Sequence, residues 1–228
     1  MTGTSQHRGR GTEIFTGLFL ILSALAILAS YLLDFEYPRV EEAVTTDLEY
    51  LNDNLIRQIL SAFSWAAATL FLVLLLPFYL LLFNRYQRFM HILNGMLILA
   101  TAYFFMKSGL TTWHMVSLIR ELPDPGTLSS ESVSYEILIP WIQGNMAMDQ
   151  WGRILLGLFL FSFSLVRWRV KPFPLFASIL LFLSGPLVVL FSWTDPGHIL
   201  LTSAMAASTV GLLLGGAFLV NRGFLKTM

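Results

Sequence analysis

Ile14 to Leu33 carries no charged side chain along its whole length. A helix needs about 20 mostly apolar residues to cross ~30 Å of hydrocarbon, and this segment has that length and chemistry. Five further segments share the pattern, at about 59–83, 89–106, 150–166, 173–193 and 199–220. The second of the six spans contains the run LFLVLLLPFYLLLF. The fourth is short when counted from Ile154 and reaches spanning length only if Asp149 to Arg153 form its first turn at the interface. The sequence therefore predicts an all-α fold: a polytopic membrane protein with six transmembrane helices, making one transmembrane domain over 1–228.

Composition closes off the other classes. The chain is 56% hydrophobic and 12% charged, where soluble domains are about 45–50% apolar and about 25% charged. So few charges could not wet the surface of a globule. A soluble single domain, a disordered chain and a nucleic-acid binder with a basic face are all excluded. The chain holds no cysteine, which removes disulfides, thiolate metal sites and cysteine nucleophiles.

His7, Arg8 and Arg10 precede the first span as a basic region precedes a signal sequence. The apolar run is longer than the usual ~7–15 residues of such a segment, and the small-residue pattern Ala24-Leu25-Ala26 falls inside it. An uncleaved first helix after a cytoplasmic N-terminal segment, 1–12, is expected. Basic residues collect in cytoplasmic loops. With both termini inside, nine of the 14 basic residues are cytoplasmic: Arg8, Arg10, Arg85, Arg88, Arg167, Arg169, Lys171, Arg222 and Lys226. Of the 14 acids, only Glu13 falls on that side. The zero formal charge thus divides into a basic inner face and an acidic outer one, and the expected site is the plasma membrane.

Within lipid, helices associate through close packing and interhelical hydrogen bonds. The sixth span carries a ridge of small residues, Ser203, Ala207, Gly211 and Gly215, each four apart. It suits packing within the bundle or, alternatively, a homodimer seam. Pro186 follows Gly185 in mid-span and removes a backbone donor, predicting a kink; Pro77 does the same near the inner end of the second span. Asn94 is the most deeply placed strongly polar side chain and is expected to tie two helices together. Lys107 is placed at the outer interface, where it can snorkel.

Two connections, about 34–58 and 107–149, lie outside. In the first, Val40, Val44, Leu48, Leu51 and Leu55 line one face of a predicted amphipathic outer helix, with Glu41, Glu42, Glu49 and Asp53 opposite. The acidic face favours docking on protein over lipid. The second continues the third helix towards Arg120 and breaks at Pro123-Asp124-Pro125-Gly126. Its apolar stretch Ile137 to Ile142, interrupted by Pro140, is expected at the interface. Trp113, Trp141, Trp151 and Trp193 mark an aromatic belt on this side.

Candidate functional residues gather at this outer mouth: Arg57, Lys107, His114, Asp149, Arg153, Asp195 and His198. Asp149 and Arg153, four apart, pair on one helical face, which by itself accounts for both. Arg57, Lys107 and Arg153 could together hold a small anion or lipid headgroup. No ligand spacing supports a metal, and no cofactor is expected.

Zinc-helix, nucleophile-elbow, P-loop and dinucleotide-binding patterns are all missing from the sequence. The Gly17–Phe19 start of the first span, the LNDNLIRQIL ending of the outer loop, Pro77, Asp149 with Trp151, and the closing NRGFL together resemble a family of bacterial six-helix membrane proteins known only as a domain of unknown function. That resemblance implies a topology and no activity. GLFL occurs at Gly17 and again at Gly157, heading the first and fourth spans, as an inverted repeat would place it. The expected function is non-enzymatic binding, scaffolding or regulation, with an acidic outer cap meeting a protein partner or small ligand. The alternative is a small-molecule carrier or lipid-handling enzyme using the outer Arg, Lys and His residues.

Overall fold

The computed structural model describes residues 3–33, 48–82, 87–121, 135–167, 173–194 and 199–225. Among them are six α-helices and no strand: α1 (Gly3–Leu33), α2 (Leu48–Leu82), α3 (Gln87–Glu121), α4 (Tyr135–Arg167), α5 (Leu175–Thr194) and α6 (Ile199–Leu225). Four stretches are long and apolar enough to cross a membrane: Gly11–Leu33, His91–Leu110, Leu175–Thr194 and Ile199–Leu225. In α2 the apolar stretch Ile59–Leu75 is shorter. The chain is a helical protein of the membrane-embedded kind.

Burial is arranged inside out relative to a water-soluble bundle. Hydroxyl side chains point inward, among them Ser23, Ser30, Thr69, Ser164, Ser184 and Ser208, while Leu22, Leu25, Leu32, Phe176, Leu183 and Leu190 are exposed. Most of the inward hydroxyls satisfy themselves on their own helix, as Thr69 Oγ1 does by donating to Trp65 O and Ala66 O. Apolar surface on this scale is foreign to a soluble monomer and suits a hydrocarbon solvent.

Each helix packs on its neighbours in the chain, and α6 returns to pack on α1, closing a ring. Neighbours run antiparallel. Ser61 Oγ in the first half of α2 donates to Ser30 O near the end of α1, and Gly17 at the middle of α1 meets Gly216 and Val220 in the second half of α6. The ring is filled by Leu20, Ile27, Trp65, Leu72, Leu97, Phe104, Phe159, Phe163 and Met205.

Helix ends depart from the sequence expectations. The predicted amphipathic outer helix is not wholly separate: from Leu48 onward it is continuous with α2, and residues 34–47 lie outside the described residues. Ile137 to Ile142 does not lie apart at the interface but belongs to α4, so the fourth helix begins well before Asp149. Pro140, the sixth residue of α4, removes the bond to the Glu136 carbonyl, and the helix continues through it. At 35 residues each, α2 and α3 are about 52 Å long at ~1.5 Å per residue, far more than the hydrocarbon needs. Their surplus, and that of α4, lies at the end of the ring where α1 finishes.

The small-residue ridge of α6 is used by this chain itself. A Cβ on Gly211 would meet Leu181 and the Ala177 carbonyl, and one on Gly215 would strike the Phe173 ring. Ser203, at the head of the ridge, is exposed. Pro186 lies inside a helix that continues through it, with its ring exposed rather than turned to the core. The GLFL glycines do not sit equivalently. Gly17 packs on α6 and Gly157 on Gly185 of α5, whereas a repeat relating α1 to α4 would set Gly157 against α3.

Candidate functional site

Lys107, Asp149 and Arg153 form a buried ion triad. Asp149 and Arg153 stand one turn apart on α4, and Arg153 Nη2 donates to Asp149 Oδ2. From α3, Lys107 Nζ donates to Asp149 Oδ1 at 2.7 Å. The three residues are 6%, 7% and 7% exposed. Charge-assisted bonds of this kind are short and strong, but removing charges from water is expensive, and a buried pair repays that only with good geometry. One carboxylate here serves two cations, with one oxygen for each.

Aromatic rings floor the triad. The Arg153 guanidinium lies over Trp65 of α2, 5.5 Å from the ring centroid, a cation–π arrangement. Trp65 is fully buried. It stacks on Phe104 of α3 at 5.3 Å with a 15° tilt and meets Tyr31 of α1 edge-on at 5.6 Å. Gly152, between the two α4 members of the triad, lets the Phe104 ring lie against the helix backbone; a Cβ there would strike the ring. Four helices thus contribute to one cluster. Trp65 Nε1 is buried and has no acceptor among the described residues.

The sequence expectations are redistributed by this geometry. Lys107 does not reach out to solvent: it is 6% exposed, its ammonium held by Asp149, 42 residues away. Arg57 is exposed, so Asp149 takes the place expected for it beside Lys107 and Arg153. His114 lies on α3 seven residues beyond Lys107, its side chain outside those described, and Asp195 and His198 lie outside the described residues. Asn94 is half-buried and its Oδ1 has no partner among the described residues, so no tie between described helices is made through that atom. Trp65 was not singled out by sequence; the one signal was the span's single tryptophan, heading the small run Ala66-Ala67-Ala68.

A second ionic contact marks the opposite end. Glu13 of α1, buried, faces Arg222 Nε of α6 at 3.6 Å. No group of His, Asp or Glu among the described residues could hold a metal ion. Chemically, the triad offers donors in excess of acceptors and no nucleophile or acid–base pair open to a substrate. Comparison with family models, with curated proteins and with solved structures finds no match for the chain.

Proposed function

We propose that the chain is a six-span plasma-membrane protein, both termini cytoplasmic, that binds a ligand or partner at its outer face. The observation that carries this reading is the Lys107–Asp149–Arg153 triad, buried where α3 and α4 join. Ionisable groups inside a membrane bundle are expensive and mark functional positions by default. Its place supports an outer site: Lys107 stands near the end of the apolar stretch His91–Leu110, just before α3 runs on to Glu121. Support for the orientation is the division of basic and acidic residues between the two sides of the membrane. A binding role fits better than a carrier, because the ring interior is packed with side chains and Pro186 is turned away from it.

The natural absence of cysteine makes orientation directly testable. A cysteine at Thr45 or Ser130 is expected to react with an impermeant thiol reagent on intact cells, and one at Gln87 is not. The reverse labelling rejects the topology. For the binding role, native mass spectrometry of gently extracted protein is expected to show a retained small molecule or partner that Lys107→Gln loses. A wild type always free of added mass, or one whose added mass survives the substitution, rejects it.

A further inference from the structure

We infer that the ligand of the triad is an oxyanion of the phosphate class, bound by Lys107 and Trp65 at the depth of the outer lipid headgroups. The inference rests on the membrane placement proposed above and adds a ligand chemistry to it. Lys107 Nζ carries three N–H donors; among the described residues its acceptor is Asp149 Oδ1. Since Asp149 Oδ2 is engaged by Arg153, the carboxylate is shared, and the ammonium keeps two donors that it cannot wet at 6% exposure. The indole N–H of Trp65 is a further buried donor without an acceptor. Trp65 is tied to the lysine through Phe104, on which it stacks and which lies one turn before Lys107 on α3. Buried donors in this excess call for an acceptor with several oxygens and negative charge.

Depth and access point to the same ligand. Trp151, between Asp149 and Arg153, and Trp193 of α5 meet edge-on at 5.9 Å, both exposed on the lipid side. Exposed tryptophans of this kind sit at headgroup level, which places the triad at the depth of lipid phosphates. In the α3–α4 register set by the Lys107–Asp149 and Phe104–Gly152 contacts, the next level outward pairs Gly109 with Ala147, both exposed. A Cβ on Gly109 would meet nothing within 4 Å, and the same holds for Gly144, one turn further out on α4. The α3–α4 seam outward of the triad thus carries small residues with open space beside them, the side from which a ligand would approach.

The test uses the purified full chain, stripped of lipid in detergent. It is titrated at constant ionic strength with inorganic phosphate and, separately, with phosphatidylglycerol in mixed micelles, reading the thermal midpoint. A ligand that binds only the folded state raises that midpoint by mass action. A rise with both probes identifies the free anion as sufficient; a rise with the lipid alone identifies the headgroup as the source. Lys107→Gln is expected to weaken the response by about tenfold or more, the scale of a lost charged hydrogen bond. If that variant does not fold, Trp65→Phe keeps a ring on Phe104 while deleting the donor, and a several-fold weakening is expected. Neither probe raising the midpoint overturns the inference, as does an unchanged response in the folded variants. The thiol labelling judges the membrane placement separately, so the two failures are distinguishable.

Discussion

The two ends of the ring are held together by opposite means. Towards the start of α1 and the finish of α6, Gly17 and Gly216 face each other so closely that a Cβ on either would strike the other's carbonyl oxygen, and the ion pair there, Glu13 with Arg222, keeps its cation 38% exposed. Where α1 finishes, α1 to α4 meet through Tyr31, Trp65, Phe104, Lys107, Asp149 and Arg153. Small residues let helix backbones approach closely enough to join in lipid, as Gly17 and Gly216 do. The desolvated charges at the second end are not needed for that purpose. On the binding role proposed above, the burial of both cations with their carboxylate is the feature that sets this end apart from the Glu13–Arg222 pair.

The largest expected effect breaks the charged end. Asp149→Asn should destabilise the protein by about 3–5 kcal/mol, because it leaves two buried cations without their carboxylate. Replacing all three members at once by apolar residues of similar volume should be near neutral, or stabilising by about 1–4 kcal/mol. Chemical unfolding in detergent measures both. A triple variant as unstable as the single one would show the triad to be structural after all.

The glycine end should respond less and more locally. Gly216→Ala drives a Cβ towards Gly17 O, a backbone atom that cannot swing aside, and the expected loss is about 1–3 kcal/mol. Gly211→Ala is the internal contrast. Its Cβ would meet Leu181 Cδ2 at 3.0 Å, Leu181 Cγ at 3.1 Å and Ala177 O at 3.3 Å, all looser than the 2.6 Å to Gly17 O, so a shift of a few tenths of an ångström relieves it and the loss should stay below about 1 kcal/mol. Equal losses in the two variants, measured by the same unfolding assay, would mean that the two helix contacts do not differ in stiffness.

How far the sequence reveals each end follows from the range of the contacts. Apolar length exposes Gly11–Leu33, Leu175–Thr194 and Ile199–Leu225, because spanning is a local property of the chain. The Asp149–Arg153 pair is visible for the same reason, lying one helical turn apart. Burial of Lys107 is not visible, since it depends on a partner 42 residues away and on the register of two helices. Trp65 is hidden more deeply still: its role arises only when four helices converge on it. The early start of α4 escapes because Pro140 reads as a breaker, although the helix runs through it from Tyr135.

Between the two ends lies the smallest expected effect. Ser208 Oγ of α6 donates to Ser184 Oγ of α5 at 2.7 Å, a buried bond between helices that resembles a third fastening. Ser208 Oγ also lies 3.0 Å from Ala204 O on its own helix, so it has an acceptor whether or not α5 is present. Ser184, left behind, can turn its hydroxyl to a carbonyl of its own preceding turn, as serines in helices commonly do. Interhelical hydrogen bonds in membranes average about 0.6 kcal/mol for this reason, and Ser208→Ala should cost no more than that. A double-mutant cycle with Ser184→Ala isolates the pair. A coupling above about 1.7 kcal/mol, the upper end seen for such bonds, would make the middle of the ring a polar fastening in its own right and dissolve the contrast between a backbone-packed end and a charged one.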